Sequence, residues 1–443
     1  MRRTLPVGRA ARNSIDRAGP GSGTVQHARF APLPAHGLVD ETLHLRVEGL
    51  EPGARVRLRL ASAGAPGTMW MAEATFVADA GDVDLTRDAP LEGSYAGVDP
   101  MGLFWSRAAV PGVPGETAAD PAVVTLTARD ASGQAFLRHE LRRSFLAAGV
   151  RQASVDAAGL VARLFTPPAR GPHPTMIVLG GSDGGFRWCS EVASLLASRG
   201  FATLALAYFG IEPLPPTLDR IPLEYFERAI DWLSAHPAVD PRRIGVIGAS
   251  RGGELALLLG ATFPALRAVV AYVPSGILWP GVPQMDHAAW TWQGRELPTA
   301  GQMPLADWQR MLADAGLQDD TPEAYQLVLH DLGMIEAATI PVERIHGPIL
   351  FITGRDDRLW PCEQLTGFAL RRLQERGFAH RVEHLSYGGA GHAIGWPHVI
   401  APATRTTHPV TRAVMDLGGT PAANARAAAD SWPRMLDFLQ RSL

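Results

Sequence analysis

Three side chains in the C-terminal half are of types that can share one reaction. Ser250 stands in Gly248-Ala249-Ser250-Arg251-Gly252, which fits G-x-S-x-G. In a chain rich in Gly and Ala the bare string is weak, but its setting is specific. An apolar run, "RIGVI", precedes it, and a helical pattern, "GGELALLLGATF", follows. A strand-to-helix turn of this kind holds its serine at strained backbone angles with the hydroxyl exposed. That setting favours a nucleophile over an ordinary turn serine. A hydroxyl is a poor nucleophile at neutral pH, so it needs a base, and the base needs an orienting carboxylate.

Such partners are expected in the order serine, acid, histidine, each at a strand end. "PILFITGRDDRLWP" reads as a strand and a turn bearing Asp356 and Asp357. "RVEHLSYGGAGHAIGWP" reads as a strand and a Gly-rich loop bearing His392, 35 residues after Asp357. The helix "CEQLTGFALRRLQERG" and one strand fit between them. Alone, either aspartate would read as a turn or capping residue. His392, flanked by small residues, does not read as a packed core histidine, and His398 is the second candidate base. Glu254 lies one turn beyond Ser250 and is expected to be structural, bonding a neighbouring loop or the helix start. Acyl transfer also needs donors aimed at the developing oxyanion. The N–H of Arg251 is one candidate. The loop "GGSDGG" after "MIVL", with Gly181 and Ser182, offers the other. It lacks both G-x-G-x-x-G and a G-K-[ST] ending, so an oxyanion loop is the better reading than a nucleotide cradle. The chemistry requires no metal or other cofactor.

The elements that must carry these residues change character near Val150. Beyond it, "VARLF", "TMIVLGG", "ATLALAYF", "IGVIGAS", "LRAVVAYV", "PILFITG" and "RVEHLSY" alternate with helical stretches, including about Leu223–Ser234 and Ala422–Arg441. Strands apolar on both faces and separated by helices predict a mostly parallel, doubly wound sheet covered on both sides. Before that point the period is two. "LHLRV", "ARVRLRL", "VVTLT" and "AFLRHEL" read as half-buried antiparallel strands of a β-sandwich with no helix. The expected domains are a disordered leader over 1–33, the sandwich over 34–150 and the α/β domain over 151–443. The stretch 276–344 is too long for a plain connection and is expected to form a cap or entrance.

Composition closes off other classes. The chain has 443 residues, 46% apolar and 19% charged, with a net charge of −3. Nothing in that balance recruits nucleic acid or an anionic membrane. The 41 basic residues are all arginine, which with the abundant Ala, Gly and Pro matches a high-GC bacterial genome. Two distant cysteines, Cys189 and Cys362, exclude a disulfide framework. No apolar run reaches the roughly 18 residues of a membrane span, and no secretory leader is evident, so a cytoplasmic location is the expectation.

Longer segments carry a specific resemblance. "LALAYFGIEPLPPTLDRIPLEYFERAIDWLSAHPAV", "GASRGGELAL", "PVERIHGPILFITGRDDRLWP", "GAGH" and "LGGTPAANARAAADSWPRMLDFL" resemble the acyl-CoA thioesterase and bile acid-CoA:amino acid N-acyltransferase (BAAT) family. In the first half, "DETLHLRVEGLEPGARVRLRL" and "GSYAGVDPMGLFWS" resemble its N-terminal β-sandwich. The resemblance implies an α/β-hydrolase fold and a triad on Ser250, Asp357 and His392. The spacing G-x-x-D-x-x-x-P from Gly354 to Pro361 also points to the second aspartate. Thioesterases of the family carry serine at the elbow and the bile-acid conjugating enzymes carry cysteine, so serine favours water as acceptor. The expected substrate is an acyl-CoA-type thioester. The alternatives are an acyltransferase to an amine or hydroxyl, an ester or lactone hydrolase of dienelactone-hydrolase type, or a non-catalytic binder. The loops "GGSDGG" and "GHAIGWP" depart from the family pattern where the acyl pocket is expected, so chain length and thiol carrier do not follow from it.

Overall fold

The computed structural model describes residues 27–64, 68–111, 122–317, 321–398 and 404–443. Most of the expected leader, 1–26, lies outside the described residues. Its last residues do not, and Arg29–Phe30 is already a strand, paired with Arg46–Glu48. The chain divides into two compact units. One comprises the described residues up to Phe145 with His398; the other runs from Leu146 to Pro397 and resumes at residue 404.

The N-terminal unit has two sheets. Seven strands follow the order His36–Leu38, Ala135–Ser144, Ala122–Arg129, Arg55–Ala63, Thr68–Val77 and Glu92–Gly93, with Ala108–Pro111 also on Thr68–Val77. Arg29–Phe30, Arg46–Glu48 and Asp82–Asp84 form the second sheet. Neighbours pair antiparallel, except that His36–Leu38 runs parallel to Ala135–Ser144. Along Arg55–Ala63 the alternation is literal: Val56, Leu58 and Leu60 are buried between arginines that are not. Each such side chain contributes about 1.5–3 kcal/mol when fully buried. Two expectations need correction. "LHLRV" enters a ladder only at Arg46, although Leu43 and Leu45 are buried, because alternate burial does not itself require a strand partner. And a helical turn, Gly102–Trp105, sits among the strands.

The second unit is built on eight strands: β1 (Arg151–Val155), β2 (Val161–Thr166), β3 (His173–Leu179), β4 (Ala202–Ala207), β5 (Val239–Ala249), β6 (Leu266–Tyr272), β7 (Ile349–Gly354) and β8 (Val382–Tyr387). Their order in the sheet is β1-β2-β4-β3-β5-β6-β7-β8. β2 pairs antiparallel with β1 and β4, and every other pair is parallel. All six residues of β4 and of β7 are buried, as a sheet covered on both faces demands. The helices are α1 (Arg187–Ser198), α2 (Glu224–Ser234), α3 (Arg251–Thr262), α4 (Cys362–Glu375) and α5 (Pro421–Ser442). This is the α/β-hydrolase arrangement. Between β6 and β7 the alternation is interrupted by the short strands Trp290–Trp292 and Arg295–Glu296 and the helices Leu305–Asp314, Pro322–Gln326 and Leu332–Ala338.

Candidate active site

Ser250 joins β5 to α3 at φ 58° and ψ −123°. A non-glycine residue persists there only where its surroundings over-determine it, and here they do. Its N–H donates to the Tyr272 carbonyl at the end of β6 (2.9 Å), while its own carbonyl accepts from Gly253 and Glu254 (2.9 and 3.0 Å). Both motif glycines are forced by close approach. A Cβ at Gly248 would lie 2.0 Å from the Gly252 carbonyl oxygen, and one at Gly252 would lie 2.2 Å from that of Gly180. The Arg251 N–H opens α3 and belongs to the first-turn donors that no helical carbonyl reaches.

The candidate acid and the candidate base meet. Asp357 Oδ2 lies 2.7 Å from His392 Nδ1, and the aspartate side chain is 1% exposed. Its other oxygen accepts the N–H groups of Leu359 and Trp360 at 3.0 and 3.2 Å. Nδ1 is therefore the donor to a carboxylate, which leaves the lone pair on Nε2. Asp356, by contrast, is exposed; it contributes its backbone, donating to Ala390 and accepting from Gly419. The His392 loop is pinned by two bonds, Gly391 N–H to Asn424 Oδ1 on α5 and His392 N–H to the Leu417 carbonyl, both 2.7 Å. Trp360 packs edge-on against the imidazole with ring centres 6.0 Å apart, and its Nε1 donates to the Val273 carbonyl just past β6. No hydrogen bond joins Ser250 to His392 among the described residues. Contacts of that kind commonly tighten only with substrate bound. The other histidine weighed from the sequence, His398, belongs to the N-terminal unit, with Nε2 3.1 Å from Thr42 Oγ1. Burial pushes it down to about 4.

The glycine-rich loop after β3 lies over the elbow. A Cβ on Gly181 would sit 3.4 Å from Ser250 Cβ, and the Tyr208 hydroxyl donates to the Gly180 carbonyl at 2.6 Å. Burial raises the Asp183 carboxyl, against the pull of its own N–H, Arg187 and the Gly181 N–H. Ser182 Oγ is 3.0 Å from Nε2 of His408, a residue the sequence did not single out. Nothing linear could flag it, since 226 positions separate the pair. One turn beyond Ser250, the fully buried Glu254 accepts from Trp290 Nε1 (2.7 Å) and faces Arg251, whose guanidinium donates to the Trp279 carbonyl (2.8 Å). Burial raises Glu254 to about 7. Glu254 thus ties the excursion between β6 and β7 to α3, the structural role expected of it. A concavity of about 430 Å³ flanks the turn bearing Asp356 and Asp357, with Arg355, Arg358, Cys362 and Glu363 in its lining. Among the described residues, no group of three or more His, Cys, Asp or Glu could hold a metal ion, and no helix is long and apolar enough to cross a membrane.

Comparison with known proteins covers both units. Residues 40–157 match the acyl-CoA thioester hydrolase/BAAT N-terminal region, and residues 221–443 match the BAAT/acyl-CoA thioester hydrolase C-terminal family. Acyl-coenzyme A thioesterase 6 of Mus musculus is 34% identical over 424 residues, covering 91% of this chain and 94% of the relative. The mitochondrial acyl-coenzyme A thioesterase 2 of Rattus norvegicus is also 34% identical, covering 91% and 87%. The peroxisomal succinyl-coenzyme A thioesterase of Mus musculus is 33% identical, covering 91% and 94%.

Proposed function

The chain belongs to the acyl-CoA thioester hydrolase and BAAT family, and from that premise we propose that it is a serine hydrolase of acyl-CoA-type thioesters acting through Ser250, Asp357 and His392. The observation that carries the site assignment is the 2.7 Å bond between the buried Asp357 and His392 Nδ1, at strand ends two and three places from the elbow strand. Ser250 Oγ attacks the thioester carbonyl while His392 Nε2 takes its proton. Asp357 holds the tautomer and stabilises the imidazolium. Negative charge on the carbonyl oxygen is met by the Arg251 N–H and by the Gly181–Ser182 loop. The intermediate collapses, His392 returns the proton to the departing thiolate, and Ser250 is left acylated. Water activated by His392 then releases the acid. Serine at position 250 supports water as the acceptor rather than an amine.

The test is thiol release from a panel of short, medium, long and branched acyl-CoAs. Ser250→Ala should lose at least about 10³-fold in kcat while keeping its circular dichroism. Near wild-type turnover in that variant would sink the assignment, and an amide product with added amines would redirect it to acyl transfer.

A further inference from the structure

The loop over the elbow offers more than backbone. His408 sits in a hairpin between Arg405–Thr407 and Val414–Asp416 and is 3% exposed. Its backbone is fixed by N–H donation to the Ala413 carbonyl (2.8 Å) and by acceptance from Arg412 (3.0 Å). Its Nδ1 accepts two backbone N–H groups, from Val410 at 3.2 Å and Thr411 at 3.1 Å. A nitrogen that accepts carries no hydrogen, so the ring hydrogen is on Nε2 and points at Ser182 Oγ, 3.0 Å away. Burial lowers the pKa of this ring, which keeps the neutral tautomer in place at neutral pH.

A serine hydroxyl has one hydrogen to give and lone pairs to receive. Here a lone pair is filled by His408, and among the described residues no protein acceptor takes the Ser182 hydrogen. The residue before Ser182 packs on the nucleophile, with the Gly181 Cβ position 3.4 Å from Ser250 Cβ. The same hairpin continues into Leu417, whose carbonyl holds the N–H of His392.

We propose that the Ser182 side chain donates its hydroxyl hydrogen to the oxyanion formed on the substrate carbonyl, and that His408 is the positioning residue that presents it. This rests on the hydrolase reading above. It adds a side-chain donor to the backbone ones and gives the C-terminal hairpin a part in the reaction. No bond forms or breaks at Ser182; its hydrogen bond strengthens as the carbonyl oxygen gains charge.

The experiment measures thiol-release kinetics for Ser182→Ala, Ser182→Thr, His408→Phe, His408→Gln and the pair S182A/H408F. Removing one oxyanion donor costs about 10²-fold in kcat, so Ser182→Ala should fall by that order with KM within about two-fold. Threonine keeps the hydroxyl and should recover most of the loss. Gln places an N–H where Nε2 stands and should recover part of the His408→Phe loss. The double variant should be no slower than Ser182→Ala alone, because His408 acts only through Ser182. Unchanged kcat in Ser182→Ala, or losses that multiply in the double variant, would overturn the proposal. If His408→Phe fails to fold, Ser182→Ala against Ser182→Thr decides, and equal kcat in those two overturns it. Fluorophosphonate labelling of Ser250 separates the two levels. A wild type that neither labels nor turns over acyl-CoA defeats the hydrolase reading, whereas a labelled wild type with an unaffected Ser182→Ala defeats only this inference.

Discussion

Glu254 shows how one side chain can tax the fold it helps to build. Its carboxyl has an ordinary value near 4.5 and is raised by burial to about 7 in the folded chain. Between those two values the folded state keeps a proton that the unfolded state has released. Stability therefore falls as pH rises through that window, and the penalty is complete above about 7. Glu254→Gln keeps an acceptor for Trp290 and has nothing to titrate. Melting temperatures of the wild type should drop relative to Glu254→Gln between pH 5 and pH 8; parallel pH profiles of the two proteins would refute this. At the same scale, order along the chain is what picked out the proposed triad in the sequence. Ser250, Asp357 and His392 follow the ends of β5, β7 and β8, and Asp357 is set apart from Asp356 by its burial. His408 was illegible because its partner is a loop brought to it only by the folded sheet.

At the scale of elements, the elbow is a matter of clearance. The turn at Ser250 brings the start of α3 against the end of β3, and Gly252 lies where any Cβ would meet the Gly180 carbonyl oxygen at 2.2 Å. Backbone cannot yield as a flexible side chain can. Gly252→Ala should cost several kcal/mol, placing it in the severe tail of point substitutions, and should lower the Tm by more than 5 °C with loss of activity. Calorimetry that shows a Tm within 2 °C of wild type would mean the elbow can relax. Seven of the eight strands of the central sheet were legible as apolar runs. The exception, β1, has four exposed residues in five, so no burial pattern marks it. Thr68–Val77 in the other unit was likewise hidden, since its first four residues are half-buried and break the alternation.

Across the whole molecule, the division into a strand-rich unit and an α/β unit follows from the change of hydrophobic period, while the neighbour relations of the strands do not. Order in a sheet depends on where each crossover helix packs, which periodicity does not record. The hairpin of residues 404–417 has a consequence of its own for how the protein responds to heat. It is largely exposed apart from His408 and Leu417, and segments with so few buried contacts open at a fraction of the global unfolding free energy. Yet it holds the loop over the elbow through His408 and the His392 loop through Leu417. Warming should thus silence turnover reversibly while the helices are still intact. The midpoint for loss of thiol release should fall several degrees below that for loss of far-ultraviolet ellipticity, and coincident midpoints would show that the hairpin melts only with the body. The working ceiling of the enzyme would then be set by a fourteen-residue hairpin rather than by its core.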